Sequence, residues 1–394
     1  MFDALLILAL GLGLLAVYVW AFSVLPEERW QILASIPMAR MPDGSWRGVN
    51  LLHYGVWLAN ACVMALMVFL ALMGALGVSA VSSLSMALPV LTVSVIAASV
   101  LARLIEKKRY TFTVGGAVFV GILFVPWVIK AFNGWAPSWG AQTIPEMPTL
   151  AALSIAFALG EGVGRLACIS FGCCYGKPLR QCAPWVAALF ARSSFVFRGK
   201  TKKAVYEGGL EGVPLFPVQA VTVVLYTVSA LGGMVLFVHQ AYGAAFVLNI
   251  VVTQGWRLLS ETVRSDDRGA VVRGWTVYQR LAVIGALYSL TLALWLKGGR
   301  LESAPRLIQG FKCLWSPAII VGLQAVWVVM FLRTGVSRVI GNSIMFNLRP
   351  RHERVADSSW KANENLTQRP YASNSPSLSC ASINNESIPC NQGA

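Results

Sequence analysis

Charge is what this chain has least of. Only 12% of its 394 residues are Asp, Glu, Lys or Arg, against 56% hydrophobic, which excludes an ordinary soluble globule and points to an integral membrane protein. Acidic groups are scarcer still: 17 Asp and Glu stand against 32 Lys and Arg, so 32 − 17 leaves +15. No soluble basic domain is present to carry that excess to nucleic acid, so no nucleic-acid partner is expected. In a polytopic protein it reflects basic loops and contact with anionic lipid headgroups.

Other absences narrow the class further. No basic residue precedes the first apolar run, Leu5 to Leu25, and that run is longer than a usual signal-peptide core, so it reads as a retained helix. No Cys-x-x-Cys occurs. The eight cysteines are Cys62, Cys168, Cys173, Cys174, Cys182, Cys313, Cys380 and Cys390; four cluster and the rest are scattered, which excludes a small secreted disulfide framework. Adjacent cysteines are poor partners on one ion, so no metal and no cofactor is expected. No inverted repeat is evident, which argues against a transporter built on one.

What is present is a series of apolar runs of roughly twenty residues, the length that crosses a bilayer. They fall near 5–25, 52–77, 86–105, 112–133, 149–170, 216–239, 242–261, 276–297 and 314–333. The fold class is therefore all-α: a polytopic transmembrane helical protein of about seven to nine membrane segments, with a lipid-facing polar cavity. Four parts are delimited: 1–45, an N-terminal helix and connector; 46–300, a membrane core; 301–348, a further helix; and 349–394, a polar tail expected to be disordered. The insertion at 172–214 carries Lys177, Arg180, Arg192, Arg198, Lys200, Lys202 and Lys203, which suits an extramembrane cap on a phospholipid surface. Basic residues sit on several loops, and orientation is left open.

Charges inside the spans are costly and mark functional positions. Glu161, Arg165 and Cys168 are spaced i, i+4 and i+7, one face of a helix, and Gly160, Gly162 and Gly164 allow a helix or ligand to approach its backbone. The pair either neutralises itself between helices or belongs to a site. Arg257, Glu261 and Arg264 repeat the spacing on a second segment. Together they supply several guanidiniums, the group best suited to bidentate phosphate binding.

Weaker features complete the pattern in order: Tyr54-Gly55, Ala102-Arg103-Leu104, Gly115-Gly116-x-x-Phe119-x-Gly121, Gly160-x-x-x-Gly164-Arg165, Pro217-x-Gln219, and Arg257-x-x-x-Glu261-x-x-Arg264 with Asp266 following. Over roughly 50–297 this set resembles the prolipoprotein diacylglyceryl transferase family, in the Gly172-Cys173-Cys174-Tyr175-Gly176 form. The resemblance implies a multi-pass bacterial inner-membrane enzyme that moves the diacylglyceryl group of phosphatidylglycerol onto the lipobox cysteine of a preprolipoprotein, releasing glycerol phosphate. Arg165 and Arg257 would bind phosphate and stabilise the leaving group, and Arg264 would add to them from the same helix face. Glu261 would orient Arg257 or Arg264. Tyr54, Arg103, Gly116, Glu161, Gly164, Gln219 and Arg264 would shape the headgroup site. The family's histidine before the last glycine of the Gly-Gly motif is Val120 here, and a replacement base would have to be Glu161 or His53. A non-catalytic lipid-binding homologue that keeps the arginines is the competing reading.

Overall fold

Among the described residues, nine long helices stand where nine apolar runs were expected. The computed structural model describes residues 2–40, 42, 46–106, 114–265, 271–272, 274–296 and 304–337; the tail at 349–394, the basic residues at 107–109 and Asp266 lie outside these. In chain order the elements are α1 (Phe2–Val24), β1 (Ile32–Arg40), β2 (Trp46–Leu52), α2 (His53–Ala75), α3 (Ala80–Glu106), α4 (Val114–Trp135) and α5 (Glu146–Phe171). The insertion holds α6 (Pro184–Phe190), β3 (Phe195–Val196), α7 (Lys203–Tyr206) and β4 (Pro214–Leu215). Then come α8 (Val218–Val238), α9 (Tyr242–Val263), β5 (Val271–Val272), β6 (Trp275–Thr276), α10 (Val277–Trp295), α11 (Leu307–Leu314), α12 (Pro317–Thr334) and β7 (Val336–Ser337).

Eight of the long helices are long and apolar enough to cross a membrane, and the protein is a multi-pass α-helical membrane protein. The ninth, α9, is the least apolar of the long helices, and Asn249, Thr253, Gln254, Arg257 and Ser260 are buried along it. Polar groups at that depth need partners, and three hydrogen bonds tie α9 to α8. Ser229 Oγ donates to Asn249 Oδ1 at 2.9 Å, Tyr226 Oη to the Thr253 carbonyl at 2.8 Å, and Trp256 Nε1 to Thr222 Oγ1 at 2.7 Å. These three rungs fix the register of an antiparallel pair that hydrophobic packing alone would let slide.

α5 is the central helix, buried along most of its length. Its glycines act in two directions. A Cβ on Gly160 would sit 2.7 Å from Ala65 Cβ and one on Gly164 3.6 Å from Ala61 Cβ, both on α2, whereas one on Gly162 would sit 3.3 Å from Tyr226 Cβ on α8. Small residues on opposite faces thus let α2 and α8 close on α5. α11 uses the same device: a Cβ on Gly310 would overlap the Ala71 main chain of α2. Gly310→Ala is expected to cost about 1–3 kcal/mol as the helices are pushed apart, read as a lower unfolding midpoint in detergent; an unchanged midpoint would show that α11 moves freely.

The connector after α1 is a β-hairpin rather than an irregular link. β1 pairs antiparallel with β2, and β2 with β7, in the order β1-β2-β7. Pro37 sits where the ladder shifts register, between Pro37 and Ala39, one of the few places a strand tolerates proline. β7 thereby ties the end of α12 beside the start of α2.

The insertion folds back onto the same end of the bundle. Lys177 N donates to the Val263 carbonyl, Phe216 N to the Lys177 carbonyl and Ser265 N to the Tyr175 carbonyl, stitching 175–178 between the end of α9 and the start of α8. Lys202 anchors the rest. It is wholly buried, and its Nζ donates to the carbonyls of Leu25 at 2.9 Å and Ser170 at 2.5 Å. A cation against two helix C-terminal ends is favoured by the helix dipoles. Burial nevertheless pulls its pKa down to about 7, opposed by the carboxylates of Glu28 and Glu27.

Candidate functional site

The two arginines singled out in the sequence meet on one carboxylate. Arg165 Nη2 donates to Glu161 Oε1 at 2.6 Å within α5, and Arg257 Nη2 reaches across from α9 to both Glu161 oxygens at 2.8 Å. The side chains are 4% exposed at Glu161, 15% at Arg165 and 10% at Arg257. Each arginine stands six residues before its helix ends, roughly 9 Å along the axis, and Glu161 ten residues before, roughly 15 Å. The site therefore lies inside the helix bundle, toward the end covered by the insertion.

Charge does not balance there. Two guanidiniums face one carboxylate, and among the described residues no second carboxylate bonds to either. The triad carries +1 in a water-poor setting, where an uncompensated charge is costly. Hydrogen bonding is also incomplete: the Nε–H groups of Arg165 and Arg257 are buried without an acceptor among the described residues. Unused donors and surplus positive charge at one point are the features an anion-binding site would need.

Its walls bring in several of the expected residues. Gly115 abuts Arg257, since a Cβ there would lie 3.0 Å from Nη1 and 2.9 Å from the Tyr278 ring. Gly116, the neighbouring candidate, is buried in the first turns of α4. Tyr54 packs edge-on to Phe171 with ring centroids 5.7 Å apart and lies within electrostatic reach of Arg165 and of Cys168, Cys173 and Cys174. Gln219 is buried and donates from Nε2 to the Cys173 carbonyl at 2.9 Å; its Oε1 has no partner among the described residues.

Other expectations need correction. The carboxylate that holds Arg257 is Glu161, 96 residues away in sequence but adjacent in space, and not Glu261, which accepts from Thr276 Oγ1 at 3.3 Å at the capped start of α10. Arg264 does not extend the Arg257 face, because the helix ends at Val263 and Arg264 is extended, bridging to Gly176. Arg103 is exposed in the last turn of α3 and is not among the partners of Glu161. Gly164 admits α2 rather than a ligand. His53, one of two candidate bases, packs against Trp30 at 5.3 Å at the bundle end, leaving Glu161 as the carboxylate inside the site. The arginines line neither of two cavities in the bundle: one of about 430 Å³ between α1, α2 and α11, and one of about 250 Å³ between α4 and α10. Both are lined chiefly by apolar residues, so the polar groups expected in a lipid-facing cavity are found bonded to one another instead.

Two functional-looking residues were missed. Tyr226 stands seven residues after Gln219 on the inner face of α8, within electrostatic reach of Glu161, Arg257 and Arg165; the i, i+7 spacing from Gln219 was the available signal. Lys202 gave none, being one basic residue among seven in the insertion.

The cysteines also differ from expectation. The Sγ atoms of Cys168, Cys173 and Cys174 all lie within 4.8 Å of one another. The premise that adjacent cysteines cannot face one point fails because the chain reverses twice. Gly172 caps α5 in the left-handed region at φ +71°, and Cys174 adopts φ +56°, which a side chain rarely does.

A comparison with protein-family models, curated proteins and solved structures finds no match to this chain.

Proposed function

We propose that Arg165 and Arg257 bind the phosphodiester of phosphatidylglycerol and that the protein transfers its diacylglyceryl group to a cysteine thiol of a lipobox-bearing prolipoprotein in a bacterial inner membrane. The observation that supports this is the +1 surplus at Glu161, Arg165 and Arg257. One phosphodiester carries −1 and brings the site to neutrality, and the free Nε–H donors suit its oxygens. The motif order read from the sequence supplies the reaction.

The chemistry asks for what these groups do. A thiol sulfur attacks the glycerol carbon that bears the phosphate, a C–S bond forms, the C–O bond breaks, and glycerol phosphate departs with the electron pair. Charge builds on the leaving phosphate, where two fixed guanidiniums stabilise it. Glu161 is the carboxylate at the site to accept the thiol proton. The second reading, a lipid-binding protein without turnover, is favoured by one observation: Glu161 already engages both arginines.

The experiment uses purified full-length protein in phosphatidylglycerol nanodiscs with a lipobox peptide, reading the peptide mass and released glycerol phosphate. Transfer is expected, with a loss of at least about 100-fold in Arg257→Lys and in Arg165→Lys, which keep the charge but lose the planar fork. Phosphatidylglycerol binding that weakens in these variants without any transfer would select the second reading. Binding and transfer that are both indifferent to the two substitutions would remove both.

A further inference from the structure

We propose that Cys168, Cys173 and Cys174 form a three-thiolate site for one soft d10 cation, of the Cu(I) or Zn(II) kind. Three sulfurs bound to one such ion at about 2.3 Å stand roughly 4 Å apart. Here all three Sγ atoms lie within 4.8 Å of one another, so closure on an ion needs less than about 1 Å of movement per sulfur, within reach of side-chain rotation. Thiolate-rich sites select soft ions over Mg(II) or Ca(II).

The backbone is arranged to produce this convergence. Cys168 is the fixed member, buried on α5 one turn beyond Arg165. Cys173 N donates to the Cys168 carbonyl at 3.1 Å across the left-handed Gly172, returning the chain over the helix end. Gln219 Nε2 then pins the Cys173 carbonyl from α8 at 2.9 Å. The positive φ of Cys174 swings its side chain back beside that of Cys173. A non-glycine residue in that region is strained, a cost that binding an ion through the sulfur offsets. Cys182, eight residues further on, lies outside the group and accepts a different role: its Sγ faces the Pro178 carbonyl at 3.7 Å.

On binding, each thiol releases one proton to solvent as its sulfur joins the ion, and no oxidation state changes. Three sulfurs complete the coordination of Cu(I). A zinc ion would take a fourth ligand.

The test uses full-length protein in detergent, reduced with a phosphine and freed of metal, then titrated separately with Cu(I) against a chromophoric Cu(I) chelator and with Zn(II) against a chromophoric Zn(II) chelator. One equivalent of at least one ion is expected to bind, with X-ray absorption showing about three sulfur neighbours at about 2.3 Å. Cys173→Ser and Cys174→Ser should each weaken binding by at least about 100-fold, whereas Cys62→Ser and Cys182→Ser should leave it unchanged. Cys173→Ala, at a half-buried position and checked for a monodisperse elution profile, keeps the test informative if a serine variant misfolds. Failure of the wild type to bind either ion, nitrogen- or oxygen-dominated absorption, or undiminished binding in Cys173→Ala would overturn the proposal.

Discussion

Glu161→Ala is expected to destabilise the protein by about 3–5 kcal/mol, more than Arg165→Ala or Arg257→Ala does alone. The asymmetry follows from the charge count. Removing one arginine leaves a carboxylate with one partner, a neutral pair. Removing Glu161 leaves two guanidiniums without the anion that both bond, at 2.6 and 2.8 Å, in a site where the side chains are 15% and 10% exposed. Two like charges then face each other with little water to screen them. Glu161→Gln keeps the shape and an acceptor oxygen but not the charge, and should fall close to the alanine variant. Unfolding midpoints in detergent, measured for the four single variants and the Arg165→Ala/Arg257→Ala pair, give the order. If Glu161→Ala were as stable as the single arginine variants, the carboxylate would not be the hub, and the +1 surplus would have another counter-ion.

The second large effect is a pH dependence seated outside the membrane spans. The Lys202 pKa falls from its ordinary 10.5 to about 7 on folding, with burial as the main cause. The unfolded chain therefore binds more protons than the folded one between about pH 7 and 10.5, and stability must rise with pH across that window. Below pH 7 the ammonium is charged in both states and the burial penalty is fully present. From pH 7 to 9 the gain is about 2 kcal/mol. Lys202→Met should flatten this part of the curve. At pH 9 it should also be less stable than the wild type by about 1–3 kcal/mol, because the Leu25 and Ser170 carbonyls lose their donor. A wild-type midpoint that falls between pH 7 and 9 would contradict the assignment, as would a Lys202→Met curve parallel to it.

These predictions divide along what could be read in one dimension. The membrane helices were legible because burial in lipid demands about twenty apolar residues in succession, a signal that any window detects. α9 was found by the same means although it is the most polar of the nine, since its apolar positions still outnumber Asn249, Thr253, Gln254 and Arg257. Glu161 and Arg165 were legible as a pair because i and i+4 share a helix face whatever the tertiary structure. The same rule misled at Arg264: it assumes the helix continues, and this one stops at Val263. The hairpin β1–β2 was hidden behind its prolines, one of which occupies a register shift.

By itself, the sequence determined that the chain is a multi-pass helical membrane protein, where its helices lie, and that Arg165 and Arg257 are the residues to examine. Those conclusions rest on local physics: hydrocarbon thickness, helical periodicity and the cost of a charge in lipid. Only the tertiary structure decided that Glu161, rather than Glu261, holds Arg257, that Lys202 closes two helix ends, and that three cysteines face one point. Each of those depends on groups 96, 177 or 32 residues apart, or on a backbone that turns through positive φ. Nothing in residue spacing encodes such a meeting; it is set by which helices pack against α5 and in what register.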